Sequence, residues 1–232
     1  MLNGRLTGLA DARIDAYARN QSRLPPITGR IIPEPVRTRA QYLERMLEPM
    51  YRAIAPHDAD GILQHEWLNS HGAIARFDRQ TIEIRLLDSQ EHPGADLAIA
   101  ALVVAVVERL YNGDPALLDA ADALDTELLA TLLRRCVERG ENAIIDSPRY
   151  LQVLGVPAVT QSAGTVWRKL ARLVPDQLHA HRCALDVILG DGTLATRLLR
   201  SIGSTCDHAA LVTTYRRLRE CLASGRMFRA DA

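Results

Sequence analysis

The chain has 232 residues, 28 of them Lys or Arg and 28 Asp or Glu, so its formal net charge is zero. This balance argues against a nucleic-acid or membrane-surface binder, which would carry a basic surplus. Hydrophobic residues make up 47%, enough for a packed core. Lys169 is the single lysine, so an anion bound here would be held mostly by arginine forks.

In chain order, residues Asn3–Val36 carry Gly4, Gly8, Pro25, Pro26, Gly29, Pro33 and Pro35. They read as extended loop with a helical turn or two at Asp11–Asn20, because Pro and Gly break both regular periods. Over Thr38–Pro56, Tyr42, Met46, Leu47, Met50 and Ile54 recur at helical spacing, with a kink or break expected at Pro49. The stretch His71–Asp88 is the best strand pair. A loop at Asp78–Thr81 would set Phe77 opposite Ile82, Arg76 opposite Glu83, Ala75 opposite Ile84 and Ile74 opposite Arg85. Phe77, Ala75, Ile82 and Ile84 then share an apolar face, and Arg76, Glu83 and Arg85 the other. Ala95–Tyr111 is a helix apolar almost all round, expected to be buried on most sides against the back of the sheet.

After Asp114 the pattern is all-helical, with candidates at Pro115–Ala123, Thr126–Arg139, Ala163–Leu173, Leu178–Leu189, Leu194–Ile202 and Asp207–Ser224. Gly140–Gln161 reads as irregular, and the terminal GRMFRADA should fray. The layout is α+β: residues 1–113 hold a small mixed part with the unusual chemistry, and residues 114–232 form a helical extension. Cys136, Cys183, Cys206 and Cys221 lack CxxC spacing and fit a reduced, cytoplasmic protein. The longest apolar run, Leu97–Val107, is shorter than the ~18 residues of a spanning helix. His65–Glu66 lacks a second His for a zinc-protease helix and reads as a loop pair flanking the site. His179 and His181 do not share a helix face.

The charged strand face of RFDRQTIEIRLLD, Arg76–Asp88, carries the chemistry. One reading is a surface salt-bridge ladder, worth ~0.2–1 kcal/mol per pair. The other is a nucleotide site: Glu83 would hold Mg²⁺, and Arg76 and Arg85 would neutralise a phosphoryl group in flight. Arg79, in the hairpin loop, could reach the same anion or be solvated.

The pattern Glu83-x-Arg85-x-x-Asp88, then Pro93 and the alanine-rich segment from Leu97, resembles the last catalytic strand and following helix of the glutamine synthetase superfamily. HEWLNSHGAIARFDRQTIEIRLLDSQEHPGADLAIAALVVAVVERLY is similar to the carboxylate–amine ligases of the second glutamate–cysteine ligase family. NGRLTGLADAR (Asn3–Arg13) and SRLPPITG (Ser22–Gly29) resemble that family's G-R-x-T-G-L segment and the loop behind it. The resemblance covers about Asn3 to Tyr111. It implies a partial glutamine-synthetase-like antiparallel sheet backed by helices. It also implies an ATP- and Mg²⁺-dependent ligase that forms γ-glutamylcysteine, on the way to glutathione, through an acyl phosphate. Carried over by residue, Glu83 is a Mg²⁺ ligand, and Arg85 and Arg76 contact the transferring phosphate. Arg5 holds a substrate carboxylate or phosphate, and Asn69 hydrogen-bonds ligand or caps a turn. Glutamate and cysteine, or another amine, are the implied substrates.

One departure stands out. Members of this family carry a preceding half that supplies an E-x-E pair of metal ligands, and no such pair occurs in the first seventy residues here. The chain is therefore expected to be a fragment, to take its amino-terminal half from a separate chain, or to be a non-catalytic remnant or subunit that binds a partner through an unpaired sheet edge, an edge that also favours a homo-oligomer.

Overall fold

The computed structural model describes residues 4–21, 25–28, 31–204 and 206–230. Ser22–Leu24 and Gly29 of the expected active-site loop lie outside the described residues. The fold is α+β: mostly helix, with two small antiparallel sheets among the described residues. It divides into two compact units, a hairpin unit of Arg13–Leu87 with Asp125–Thr131, and a helical unit made of the described residues of Met1–Ala12, Asp88–Leu124 and Leu132–Ala232.

The hairpin unit opens with helix α1 (Ala12–Gln21). Pro25–Thr28, expected to be extended, forms a short helix α2 that packs on α4 (Glu48–Ile54). A proline is tolerated in a first turn, where its missing N–H would have no helical partner. The Thr38–Pro56 helix is present, and its break has a definite form. Thr38 caps α3 (Arg39–Tyr42), accepting from the Gln41 N–H. The chain then widens into a π-helical stretch, Leu43–Leu47, before α4, and Pro49 lies in the first turn of α4. Tyr42, Met46 and Leu47 form the local core, with Val36, Tyr51, Ala75 and Phe77 packed on it. The Tyr42 and Phe77 rings meet edge-on at 5.4 Å.

Strands β1 (Ala73–Arg76) and β2 (Thr81–Ile84) form the expected hairpin, two residues out of the expected register. Ala73 faces Ile84, Ile74 faces Glu83, Ala75 faces Ile82 and Arg76 faces Thr81. The turn is Phe77–Gln80, with Gln80 at φ 52. A two-residue shift preserves side-chain parity, so the sorting into two faces survives. Their exposure does not follow expectation. Ile74, on the charged face, is 1% exposed, while Ile82 and Ile84 on the apolar face are 68% and 42% exposed. Of the apolar face, Ala75 and Phe77 reach the Tyr42 cluster, which is the helical backing of this hairpin. Gly72 continues the pairing: its carbonyl accepts from Arg85 N–H at 2.8 Å, and its own N–H donates to Ile31 O at 2.7 Å. A Cβ at Gly72 would lie 2.7 Å from Leu86 Cδ1, so only glycine lets these segments approach.

Helix α5 (Pro93–Tyr111), expected behind the sheet and buried nearly all round, belongs instead to the helical unit. Its Ala95, Ala98, Leu102, Ala105 and Val106 are buried, and it packs on the 3₁₀ segment Asp176–His181 and on α10 (Arg182–Asp191). Leu97, Val104, Val107 and Tyr111 on another side are exposed. Helices α6 (Pro115–Asp122), α7 (Thr126–Arg139), α9 (Ala163–Leu173), α11 (Leu194–Ile202) and α12 (His208–Ser224) lie within a residue of the expected spans. The expected Leu178–Leu189 helix is split between the 3₁₀ segment and α10.

Three expectations for the carboxy-terminal region are corrected. The stretch Gly140–Gln161 contains helix α8 (Pro148–Val153), begun by Ser147 as cap and Pro148 in the first turn. Within the region read as all-helical, β3 (Ile144–Ile145) pairs with β4 (Gln161–Ser162). The tail does not fray through Phe228, which is fully buried. Arg197 Nη1 donates to Phe228 O at 2.5 Å, and the Phe228 N–H donates to Glu91 Oε1 at 3.1 Å. All four cysteines are free thiols, and no helix among the described residues is long and apolar enough to cross a membrane.

Candidate functional site

The hairpin brings Arg76, Glu83 and Arg85 together through the period of two that places them on one face. Arg76 Nη1 donates to Glu83 Oε2 and Arg85 Nε to Glu83 Oε1, each at 2.9 Å. One carboxylate therefore bridges two guanidinium groups. The Arg85 hydrogen bond, followed by that of Arg76, holds the Glu83 carboxyl below the usual carboxylate range. The Glu83 hydrogen bond likewise raises the pKa of Arg76 above its ordinary value.

Arg76 is the more enclosed partner. Its Nε lies 3.6 Å from Glu66 Oε2 and 3.6 Å from Asp78 Oδ1, beyond hydrogen-bond reach, and this buried N–H has no acceptor. Glu66, read from sequence as half of a pair flanking the site, faces the guanidinium of Arg76; its neighbour His65 stacks on Trp67. Arg79 stands at the hairpin tip, mostly exposed, 3.5 Å from Asp78 Oδ2.

Beneath the charged face lies a polar network that periodicity did not disclose. Asn69 is completely buried. Its Nδ2 donates to Tyr42 Oη at 2.8 Å, and its Oδ1 accepts from the His71 backbone N–H at 3.0 Å and faces His71 Nδ1 at 2.6 Å. Tyr42 Oη also accepts from the Ala75 N–H at 3.1 Å. The Asn69 backbone carbonyl accepts from Arg85 Nη1 at 2.6 Å. The side chain of Asn69 thus fixes its own loop, and the loop's carbonyl aims Arg85. Tyr17 Oη ties α1 to the same loop through Ser70 O at 2.7 Å. Burial pushes the Tyr42 phenol up and the His71 imidazole down, because each favours its neutral form away from water. The signal for Tyr42 in the sequence was its place on the apolar stripe, which says nothing of a hydroxyl's partner.

Arg5 belongs to the helical unit and is exposed, between Gly4 and Gly8, both at positive φ. Among the described residues no group of three or more His, Cys, Asp or Glu side chains is placed to hold a metal ion. Both Glu83 oxygens already accept from arginines. The described residues therefore do not fit a Mg²⁺ site as they stand, since a dication would have to displace two charge-assisted hydrogen bonds and face two guanidinium groups.

An uncharacterized protein of Archaeoglobus fulgidus is 30% identical over 150 residues, covering 62% of this chain and 40% of that relative. The chain therefore matches less than half the length of this relative. No solved structure matches it. The family described as Glutamate-cysteine ligase family 2 matches residues 1–214, nearly the whole chain, and the family points to ligase chemistry of the carboxylate–amine type. The chain belongs to glutamate–cysteine ligase family 2.

Proposed function

We propose that the chain forms part of an ATP-dependent carboxylate–amine ligase of the glutamate–cysteine type, working in the cytoplasm. The observation that carries this reading is the pair of arginines fixed on one hairpin face, Arg85 aimed by the Asn69 carbonyl and Arg76 with a buried N–H that has no acceptor. Phosphoryl transfer is catalysed mainly by positioning and charge neutralisation, and planar guanidinium forks suit both tasks.

In the proposed reaction a glutamate γ-carboxylate oxygen attacks the γ-phosphorus of ATP, and ADP leaves. The amine of cysteine, deprotonated, attacks the acyl carbon; the C–O bond to phosphate breaks, giving γ-glutamylcysteine and inorganic phosphate. Arg76 and Arg85 contact the transferring phosphoryl oxygens, Arg79 extends the positive edge at the hairpin tip, and Arg5 holds a substrate carboxylate. Asn69 serves the site through its loop. ATP and Mg²⁺ accompany family chemistry of this kind. The experiment is release of ADP and phosphate by the purified chain with ATP, Mg²⁺, glutamate and cysteine. Release that depends on both amino acids is expected; none with glutamate and any amine would overturn the reading for this chain alone.

A second reading has its own observation. Ile82 and Ile84 are exposed on a sheet of two strands among the described residues, a surface suited to pairing with another part of the ligase or with another copy. In that reading the chain is a binding subunit or remnant, and ATP causes no thermal shift in the isolated chain.

A further inference from the structure

We propose that Glu83 is the internal counter-ion of Arg76 and Arg85, standing where an oxyanion would sit, so that the arginine pair accepts a phosphate-like anion only when this carboxylate is neutralised or moved aside. The inference rests on the phosphate-contacting role given to these arginines above.

The geometry is that of a substitute ligand. A carboxylate and a phosphate present similar oxygen edges to a guanidinium group. Glu83 offers one oxygen to each arginine at 2.9 Å, the same bridging that a phosphoryl group would make. Charge points the same way. Arg76, Arg79 and Arg85 are met by Glu66, Asp78 and Glu83, so the cluster is neutral and has no surplus positive charge for an incoming anion. Removing the Glu83 charge restores one positive charge and weakens its hold on two aimed donors, Arg76 Nη1 and Arg85 Nε. Arg85 would keep its direction, because its Nη1 is held by the Asn69 carbonyl rather than by Glu83. Arg76 would keep its enclosure beside Glu66 and Asp78.

A metal-ligand role for Glu83 predicts the reverse. Mg²⁺ would draw the carboxylate from both arginines, yet among the described residues no group of three or more His, Cys, Asp or Glu side chains is placed to share the ion. A single carboxylate between two cations is a poor start for a dication site.

The test is inorganic phosphate binding by isothermal titration in the absence of metal, on the wild type, Glu83→Gln and the double variant Glu83→Gln/Arg85→Ala. Glu83→Gln should bind phosphate about tenfold more tightly than the wild type, the worth of one charge-assisted hydrogen bond, and the double variant should lose the gain. Equal affinity in the wild type and Glu83→Gln, or a gain that persists without Arg85, would overturn the proposal. A second readout needs no variant. The Nε–H NMR signals of Arg76 and Arg85 in the wild type should not respond to Mg²⁺ alone; movement on adding Mg²⁺ would show Glu83 leaving for the metal and would overturn it too. Neither readout is turnover. A gain in phosphate affinity without ligase activity keeps the counter-ion and sinks the ligase reading, and turnover without the gain does the opposite.

Discussion

Arg197 and Glu91 meet inside the helical unit with no side-chain exposure, Nη1 to Oε1 at 2.5 Å, and between them they take both polar groups of the Phe228 backbone. Arg197 Nε also donates to Gly192 O at 3.0 Å, so the pair joins the segment leading into α5, the residue after α10, helix α11 and the tail. Around it, His92 Nε2 lies 3.2 Å from Met227 Sδ, and the Arg217 guanidinium sits over the Phe228 ring at 5.2 Å.

Breaking one side of this pair leaves a buried charge without compensation. Arg197→Ala or Glu91→Ala should each cost about 3–5 kcal/mol, read as a lower urea midpoint. Ending the chain after Gly225 should give a loss of similar kind, with the new exposure mapped by hydrogen exchange to the start of α5 and to α11. A tail that contributed nothing would leave the urea midpoint unchanged on truncation.

In the ligase reading, Arg85→Ala should lower kcat/KM by about 10²–10³, the usual size for removing one donor to a developing anion. Arg85→Lys should recover little, because a point charge cannot hold the Asn69 carbonyl and an oxyanion in one plane. Steady-state phosphate release is the measurement, and retained turnover in Arg85→Ala would sink the role assigned to it.

Tyr42→Phe removes the oxygen that accepts from both Asn69 Nδ2 and the Ala75 N–H. Leaving two enclosed donors unsatisfied should cost about 1–3 kcal/mol, seen by chemical denaturation. The Asn69 loop should loosen as well, and the Arg85 Nε–H signal should broaden although Tyr42 does not touch Arg85.

His71 gives the hairpin unit a pH dependence. Burial lowers its folded-state pKa below the ordinary 6.5, so the unfolded chain takes up a proton first as the solution is acidified. The stability contributed by neutral His71 is present above pH 6.5 and is lost as pH falls through the folded value. A urea midpoint that drops between about pH 7.5 and 5 in the wild type, and drops less in His71→Gln, is the expected result. Glu83 does not confuse this window, since its own pKa is held below 4.5 and its contribution is lost only in stronger acid.

Gly72→Ala should be costly for a steric reason. The new Cβ would lie 2.7 and 2.8 Å from Leu86 Cδ1 and Cγ and 3.2 Å from Ile31 Cγ2. Unless the Leu86 side chain turns away, relief comes from moving the segment that carries Arg85, so a loss of about 1–3 kcal/mol is expected, together with a shift of the Arg85 signals. An unchanged melting temperature would mean that Leu86 repacks freely.

Residues that act through close neighbours are legible in the sequence. Helices α7, α9 and α11 lie where apolar spacing put them, because helical periodicity and capping are settled within a few residues. The hairpin and the gathering of Arg76, Glu83 and Arg85 on one face followed from parity, which even a two-residue slip in register preserves. The motifs around Gly4 and Glu83 pointed to the family. The short helix α8 was also readable from Ser147 and Pro148, a cap followed by a first-turn proline, but the neighbouring irregular residues masked it.

Tertiary structure alone decided what each face meets. No spacing rule places Ile74 in the interior and Ile82 in solvent, since that depends on where the Tyr42 cluster and the Ile31 segment come to lie. Nor does it assign both Glu83 oxygens to arginines or turn Asn69 inward. The largest gap was Glu91, whose partners Arg197 and Phe228 are 106 and 137 residues away. In one dimension they are an unremarkable acid, a base on an amphipathic helix and a phenylalanine near the end. Only folding removes water from all three, and a charge deprived of water must find its partner at whatever separation the chain allows.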